Sequence, residues 1–409
     1  MTLSLFQAFG LELEYMLVDP THLRVRPISD QVLHALTGEY LTDADLGEVG
    51  VSNELTRHVI EIKNEDPVAD LGVLPPRFHA GVRRLNEVLA KLGATLLPGG
   101  MHPFMDPARE VELWPHEYAE VYREYDRIFD CHTHGFGNIQ SVHLNLPFAG
   151  EREFVALHRA VRYLLPLLPA LAASSPIFSG RVAGVADARL LHYAQNQAMV
   201  PAVSGQLIPE PVNSIAEYET NILHPIYAAL KQHDPMGILQ YEWVNSRGAI
   251  ARFDRDAIEI RLMDMQECPR MDTALCAAVV SLLRSLVEER WSSSREQGNF
   301  PQENLVSLLQ STVKRGGEAL IEDRDYLRGL GYEAGVAPRA SDLWRHLIEN
   351  SPPDSHWEPD LKILLTQGNL SARILRRLGT AADSASILRE YQALRLCLEK
   401  NQAYESPAA

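Results

Sequence analysis

Phe9-Gly10-Leu11-Glu12-Leu13-Glu14-Tyr15-Met16-Leu17-Val18 sets two glutamates among apolar residues at a spacing of two. That period predicts a β-strand with acids on one face. Glu12 and Glu14 then project side by side, with their Cα atoms about 6 to 7 Å apart. Two such carboxylates repel each other. Burial without a cation raises their pKa values, whereas a divalent metal holds both as anions. A solvated strand face would carry the same pattern, so the pair gains meaning only from what the rest of the chain brings to it.

Three further strand-like runs bring it more. In Arg57 to Lys63, Val59 and Glu61 share one face while His58, Ile60 and Ile62 share the other, and Glu54 stands just ahead of the run. Asn138 to Leu146 sets His143 and Asn145 on one face, and Ala257 to Met263 does the same for Glu259 and Arg261. Hard divalent cations take carboxylate oxygens, and chemistry that moves a γ-phosphoryl group needs metal to neutralise phosphate charge. Glu12, Glu14, Glu54, Glu61, His143 and Glu259 are therefore candidate metal ligands. Singly, His143 would read as a core histidine and Glu61 or Glu259 as an ion-pair member; their convergence favours metal. Between Asn245 and Asp264, Arg247, Arg252 and Arg261 offer planar, permanently charged forks for phosphate or carboxylate oxygens. Arg255, between two aspartates, reads as a surface ion pair.

Composition bounds the alternatives. The 409 residues are 46% hydrophobic and can bury a large core, while 38 Lys and Arg against 54 Asp and Glu give a net charge of -16. Nucleic acid is excluded as the expected partner, and an acidic protein that handles anions must gather cations locally. The four cysteines form neither a CxxC pair nor a disulfide framework, so reduced thiols are expected. No apolar run reaches the ~20 residues of a membrane span, and the N-terminus lacks a signal pattern; a cytoplasmic location follows as the expectation. The chain divides into a catalytic part over 1–290, where strands and helices intersperse without a βαβ repeat, and a helical part over 291–409. Long helices are expected over 72–92, 116–129, 151–168 and 273–289.

The run Gly10 to Tyr15, the pair Glu54 and Glu61, the His143-Leu-Asn145 segment and the block Asn245 to Asp264 resemble, in that order, the active-site segments of the glutamine synthetase superfamily. Ala173-Ser-Ser-Pro176-Ile-Phe-Ser-Gly180, followed by Gly184 and Arg189, and the tract Leu97-Pro-Gly-Gly-Met-His-Pro103-Phe resemble its glutamate–cysteine ligase group. The resemblance implies an α+β fold, a curved antiparallel sheet backed by helices, with a C-terminal helical portion packed on it. It further implies an ATP- and Mg2+-dependent ligase, Mn2+ being a substitute, that joins glutamate to cysteine or another amine through an acyl phosphate. Carried over by position, Glu14, Glu54 and Glu61 would hold one metal and Glu12, His143 and Glu259 another. Arg261 would contact the transferred phosphoryl group, and Asn145, Arg247 and Arg252 would face nucleotide or substrate. The pattern departs from the superfamily in a Glu54–Glu61 spacing one residue shorter than in glutamine synthetase and in the absence of an ammonium-site counterpart. A metal-dependent hydrolase built on the same acids, and an inactive ATP-binding homologue, remain as competing classes; the oligomeric state stays open.

Overall fold

The structure is a computed structural model that describes residues 2–333, 335–379 and 382–406. Among the described residues, eight strands make one antiparallel sheet: β1 (Gly10–Val18), β2 (Asp43–Asp45), β3 (Val49–Asn53), β4 (Val59–Asn64), β5 (Thr95–Leu97), β6 (Ser141–Pro147), β9 (Ala249–Arg252) and β10 (Ala257–Asp264). Between β6 and β9 in the chain, β7 (Ile177–Phe178) and β8 (Arg181–Val182) form a separate small hairpin. The order across the sheet is β2-β3-β4-β1-β6-β10-β9, and β5 joins the end of β1, where Met16 pairs with Leu97. The expected α+β class with a helix-backed antiparallel sheet is what the chain forms.

The period-two pattern explains the two faces. Leu11, Leu13, Tyr15 and Leu17 of β1 join Ile60 and Ile62 of β4, Val142 and Leu144 of β6, and Ile258 and Ile260 of β10 in one buried cluster. Helices Leu74–Lys91, Gly150–Leu164 and Pro269–Val287 bury their apolar stripes against it. The first begins with Pro75 and Pro76 in its opening turn, where a missing N–H costs nothing. The helical stretch Gly150–Ala172 is long and apolar enough to cross a membrane, yet its most apolar window is 89% buried inside the protein.

The opposite face of β1 changes character along its length. At Glu12 and Glu14 it is acidic and lines a cleft. Past them, Met16 and Val18 with Val59 form a second buried cluster, covered by Ile374, Ile387, Tyr391 and Leu394 of the C-terminal helices Leu370–Leu378 and Ser384–Lys400. Those helices are tied down by the fully buried pair Arg373–Glu267, whose partners also bond the Tyr404 backbone. Residues beyond 290 also supply Leu305, Leu309, Trp344 and Leu347 to the main core.

Several elements differ from expectation. The helix expected from 116 starts at Ala119, because Tyr118 takes a left-handed conformation with φ 67°. The strand expected from 138 starts at Ser141, because His134–Gly137 forms a short helical turn. Strands β2, β3, β5 and β9 are too short for a periodicity to register.

Candidate active site

The strands set the acids face to face by register. Glu14 lies opposite Glu61 on β4, Glu12 opposite His143 on β6, and Glu259 of β10 opposite Asn145. With Glu54 at the end of β3 they line a cleft of about 1030 Å³. A register shift in β10 between Ile260 and Met263 lets Glu259, Arg261 and then Asp264 all face the cleft side without turning Met263 out of the core.

His143 is the hub. Its Nδ1 lies 2.9 Å from Glu12 Oε2 and 3.7 Å from Glu259 Oε1, and its Nε2 lies 3.7 Å from Glu14 Oε1. Ser141 donates its hydroxyl to Glu14 Oε2 at 2.8 Å, so the 3.0 Å contact between Ser141 Oγ and His143 Nε2 must be donated by the ring. Both ring nitrogens then carry protons. Burial opposes that charge, but the bond to Glu12 and the charges of Glu14, Glu12 and Glu259 outweigh it and lift His143 to about 9. Burial likewise works against the Glu12 anion, yet His143 and Arg261 hold its carboxyl far below the usual range.

The ligand atoms of Glu12, His143 and Glu259 all lie within 4.8 Å of one another. This trio fits a divalent cation: the donors are carboxylate oxygens and one imidazole, which would give up a proton as an ion took over the positive charge the ring now supplies. Glu14, Glu54 and Glu61 do not close into such a group. Glu61 accepts from Ser52 Oγ at 2.7 Å and pairs with Lys63 at 3.3 Å. Burial and the charge of Glu12 nonetheless push it up to about 7. Burial, then the charges of Glu14 and Glu61, lift Glu54 well above the usual carboxylate range. Carboxylates raised by burial and mutual repulsion are stabilised as anions when a cation enters, so these acids also suit a metal-bearing cleft.

The arginines divide. Arg261 bonds Glu259 Oε1 through Nε, and Arg252 Nη1 lies 3.3 Å from Glu259 Oε2, so one buried carboxylate orients two guanidinium groups that line the cleft. Arg247 does not join them, contrary to expectation. It lies outside the cleft lining, grips Glu210 with two bonds of 2.6 and 2.7 Å and donates to the Ala202 carbonyl, bracing the 202–210 loop. Asn145 is also absent from the cleft lining; its Nδ2 donates to Glu12 Oε1 at 3.1 Å and so orients a candidate ligand. Arg255, expected at the surface, stands at the cleft with its side chain 58% exposed.

Other residues line the cleft beyond the candidate ligands and arginines, among them Arg189 from the segment that carries the family resemblance. Lys63 sits across β1 from Glu12, a position legible from alternation with Glu61. Arg189 reaches the cleft from the helix Ala188–Tyr193, its Nε bound to Asp264. Asp264 in turn accepts from Ser174 N at 2.8 Å and Ser175 Oγ at 2.7 Å. An aromatic wall of Tyr122, Tyr125, Phe136 and Tyr193, with Tyr241 and Trp243 at the single helical turn Glu242–Val244, completes the cleft; no local pattern marks residues that meet only through tertiary packing. A surface group, Asp126, Asp130 and His132, also brings ligand atoms together, but there Asp126 is occupied by the Cys131 N–H in a local turn.

Comparison with known proteins agrees with this architecture. An uncharacterized protein of Archaeoglobus fulgidus is 35% identical over 97% of this chain and 99% of its own length. A protein of Rhodococcus jostii with a provisional glutamate–cysteine ligase 2-3 name is 27% identical over 77% of this chain and 35% of that one. In structure, the glutamate–cysteine ligase of Francisella tularensis, solved in complex with AMP, matches 98% of this chain and 90% of that chain with a TM-score of 0.61 at 12% identity. A bifunctional glutathione synthetase of Pasteurella multocida matches 96% of this chain and 53% of that one, with a TM-score of 0.58 at 14% identity. The family profile described as glutamate-cysteine ligase family 2 matches residues 8–393, and the chain belongs to that family.

Proposed function

We propose that this protein is an ATP-dependent carboxylate–amine ligase that joins the γ-carboxylate of glutamate to the amine of cysteine. The observation that carries the reading is the convergence of Glu12, His143 and Glu259 within 4.8 Å beside Arg252 and Arg261 in one cleft. A site that only hydrolysed a bond with metal-bound water would not require two arginines aimed by the same buried acid.

Glu12, His143 and Glu259, with Glu14, Glu54 and Glu61 beside them, would hold Mg2+, which supplies charge neutralisation for the phosphates when bound. Arg261 and Arg252 place guanidinium charge where the transferred phosphoryl group would sit, a positioning and electrostatic role with no covalent work. The glutamate carboxylate oxygen attacks the γ-phosphorus and ADP departs. The amine nitrogen then attacks the acyl carbon, phosphate leaves carrying the former carboxylate oxygen, and the nitrogen loses a proton. The aromatic wall keeps water from the acyl phosphate. That wall and the width of the cleft also favour a second reading with the same chemistry: an amine substrate larger than cysteine.

Phosphate release with glutamate, ATP and Mg2+, scanned over the twenty amino acids and simple amines, separates the readings. Cysteine-dependent release, abolished in Glu259→Gln, supports the first; release driven by a bulkier amine supports the second. ATP binding with no stimulated release by any amine would sink both.

A further inference from the structure

A second cavity, about 640 Å³, opens outside the acidic cleft and shares no lining residue with it. It lies between the turn after the β7–β8 hairpin and the C-terminal helices Gln302–Arg315, Ala340–Asn350, Glu358–Gln367 and Leu370–Leu378. Five cations line it: Lys314, Arg315, Arg339, Arg345 and Arg376. The acids on its wall are Glu318, which pairs with Arg339, and Asp342, which pairs with Arg345. Arg376 is held by Ser406 Oγ and the Gln367 carbonyl. In a chain of net charge -16, five cations against two acids around one cavity is a local reversal of sign.

Two of the five are not spent on internal pairing. Neither Lys314 nor Arg315 makes an ion pair or a side-chain hydrogen bond among the described residues, and both are exposed at the rim. Ser341, in the first turn of the Ala340–Asn350 helix, lines the same cavity; this helix has no side-chain cap, the Ala340 N–H donates to the Ala319 carbonyl at 2.8 Å, and the acid of that turn, Asp342, is already paired with Arg345. An anion in the cavity would answer the surplus cations. The floor is apolar, with Leu171, Val185, Leu364 and Leu375, and the volume suits a small organic ligand.

We propose that this cavity binds an organic phosphate of nucleotide size, with its phosphate on Lys314, Arg315 and Ser341 and its apolar part on the floor. The site is separate from the acidic cleft and needs no metal. Its wall touches the chain that serves the cleft: the Lys314 carbonyl accepts from Ala186 N at 3.1 Å, and the Val313 carbonyl from Asp187 N at 3.0 Å, two residues before Arg189.

Isothermal titration of the full chain with ADP in EDTA tests the proposal, with inorganic pyrophosphate as a probe lacking the apolar part. Expected is one site per chain for ADP, with pyrophosphate weaker. Lys314→Glu with Arg315→Glu should weaken it at least tenfold, the neutral pair Lys314→Gln with Arg315→Gln should weaken it less, and Arg261→Ala should leave it unchanged. Hydrogen exchange should slow at 182–187 and 313–316 on adding ADP. Absence of metal-free binding at millimolar ADP, its persistence in both double variants, or its loss in Arg261→Ala would overturn the proposal.

Discussion

At the scale of single residues, Glu259 and Arg247 separate chemistry from support. Glu259 touches His143, Arg252 and Arg261 at once, so Glu259→Gln should lower kcat by at least 100-fold, about 3 kcal/mol of barrier, with the melting temperature little changed. Arg261→Lys should lose a similar factor, since an ammonium cannot both bond Glu259 and present a fork to a phosphoryl group. Arg247→Ala should do the reverse: it strips Glu210 of its partner, destabilises the fold by about 2 kcal/mol in urea unfolding, and leaves kcat of the folded enzyme within a few-fold. A hundredfold fall in kcat for Arg247→Ala would return that residue to the cleft. Alternation along a strand was enough to place Glu12, Glu14, Glu61, His143 and Glu259 from sequence, because β-geometry fixes the face of every second residue. Arg247 precedes β9 in a loop, where no period applies, and its partner Glu210 is 37 residues away; only the folded chain could reveal that bond.

At the scale of elements, buried histidines behind the sheet give the protein a measurable response to acid. His158 packs between the rings of Phe154 and Tyr218, and neither ring nitrogen has a partner. Burial, with the charges of Arg162, Arg159 and Arg247, pushes it down to about 3. Below the ordinary value near 6.5 the unfolded chain takes up a proton that folded His158 refuses, so its contribution to stability is intact above pH 6.5 and falls as the pH drops toward 3. Glu54 and Glu61, raised when folded, act in the opposite sense over part of that range, so the clean quantity is a difference between proteins. The stability of His158→Phe relative to wild type should rise by about 2 kcal/mol between pH 7.5 and pH 5, followed by urea unfolding at each pH. A difference that stays flat would mean that His158 is not held neutral. The elements themselves were legible where they were long: β1, β4 and β10 and the helices Leu74–Lys91 and Pro269–Val287 follow their apolar periods. Strands of three to five residues such as β2, β3 and β5 exist because β3, β4 and β1 respectively offer them edges, which a local period cannot report.

At the scale of the whole molecule, the division at 290 expected from the change in periodicity meets a shared core. Leu305, Leu309, Trp344 and Leu347 belong to the same buried cluster as the core face of the sheet, and Ile387, Tyr391 and Leu394 cover Met16 and Val18 on the strand that carries Glu12 and Glu14. A chain cut at 290 would expose those surfaces and orphan Glu267, which is fully buried against Arg373. We therefore expect the full chain to unfold in one calorimetric transition and residues 1–290 alone to lose near-ultraviolet dichroism; two resolved transitions would show that the helical part folds on its own. The same unity means that the acidic cleft is held from both sides of β1. The proposed departure of phosphate with an oxygen of the acid substrate can be measured directly: turnover of glutamate labelled with 18O in its γ-carboxylate, in the presence of ATP, Mg2+ and the amine that stimulates release. One 18O per released phosphate is the predicted result. Phosphate free of that label, with its new oxygen drawn from water, would contradict an acyl phosphate and make the cleft a hydrolytic one.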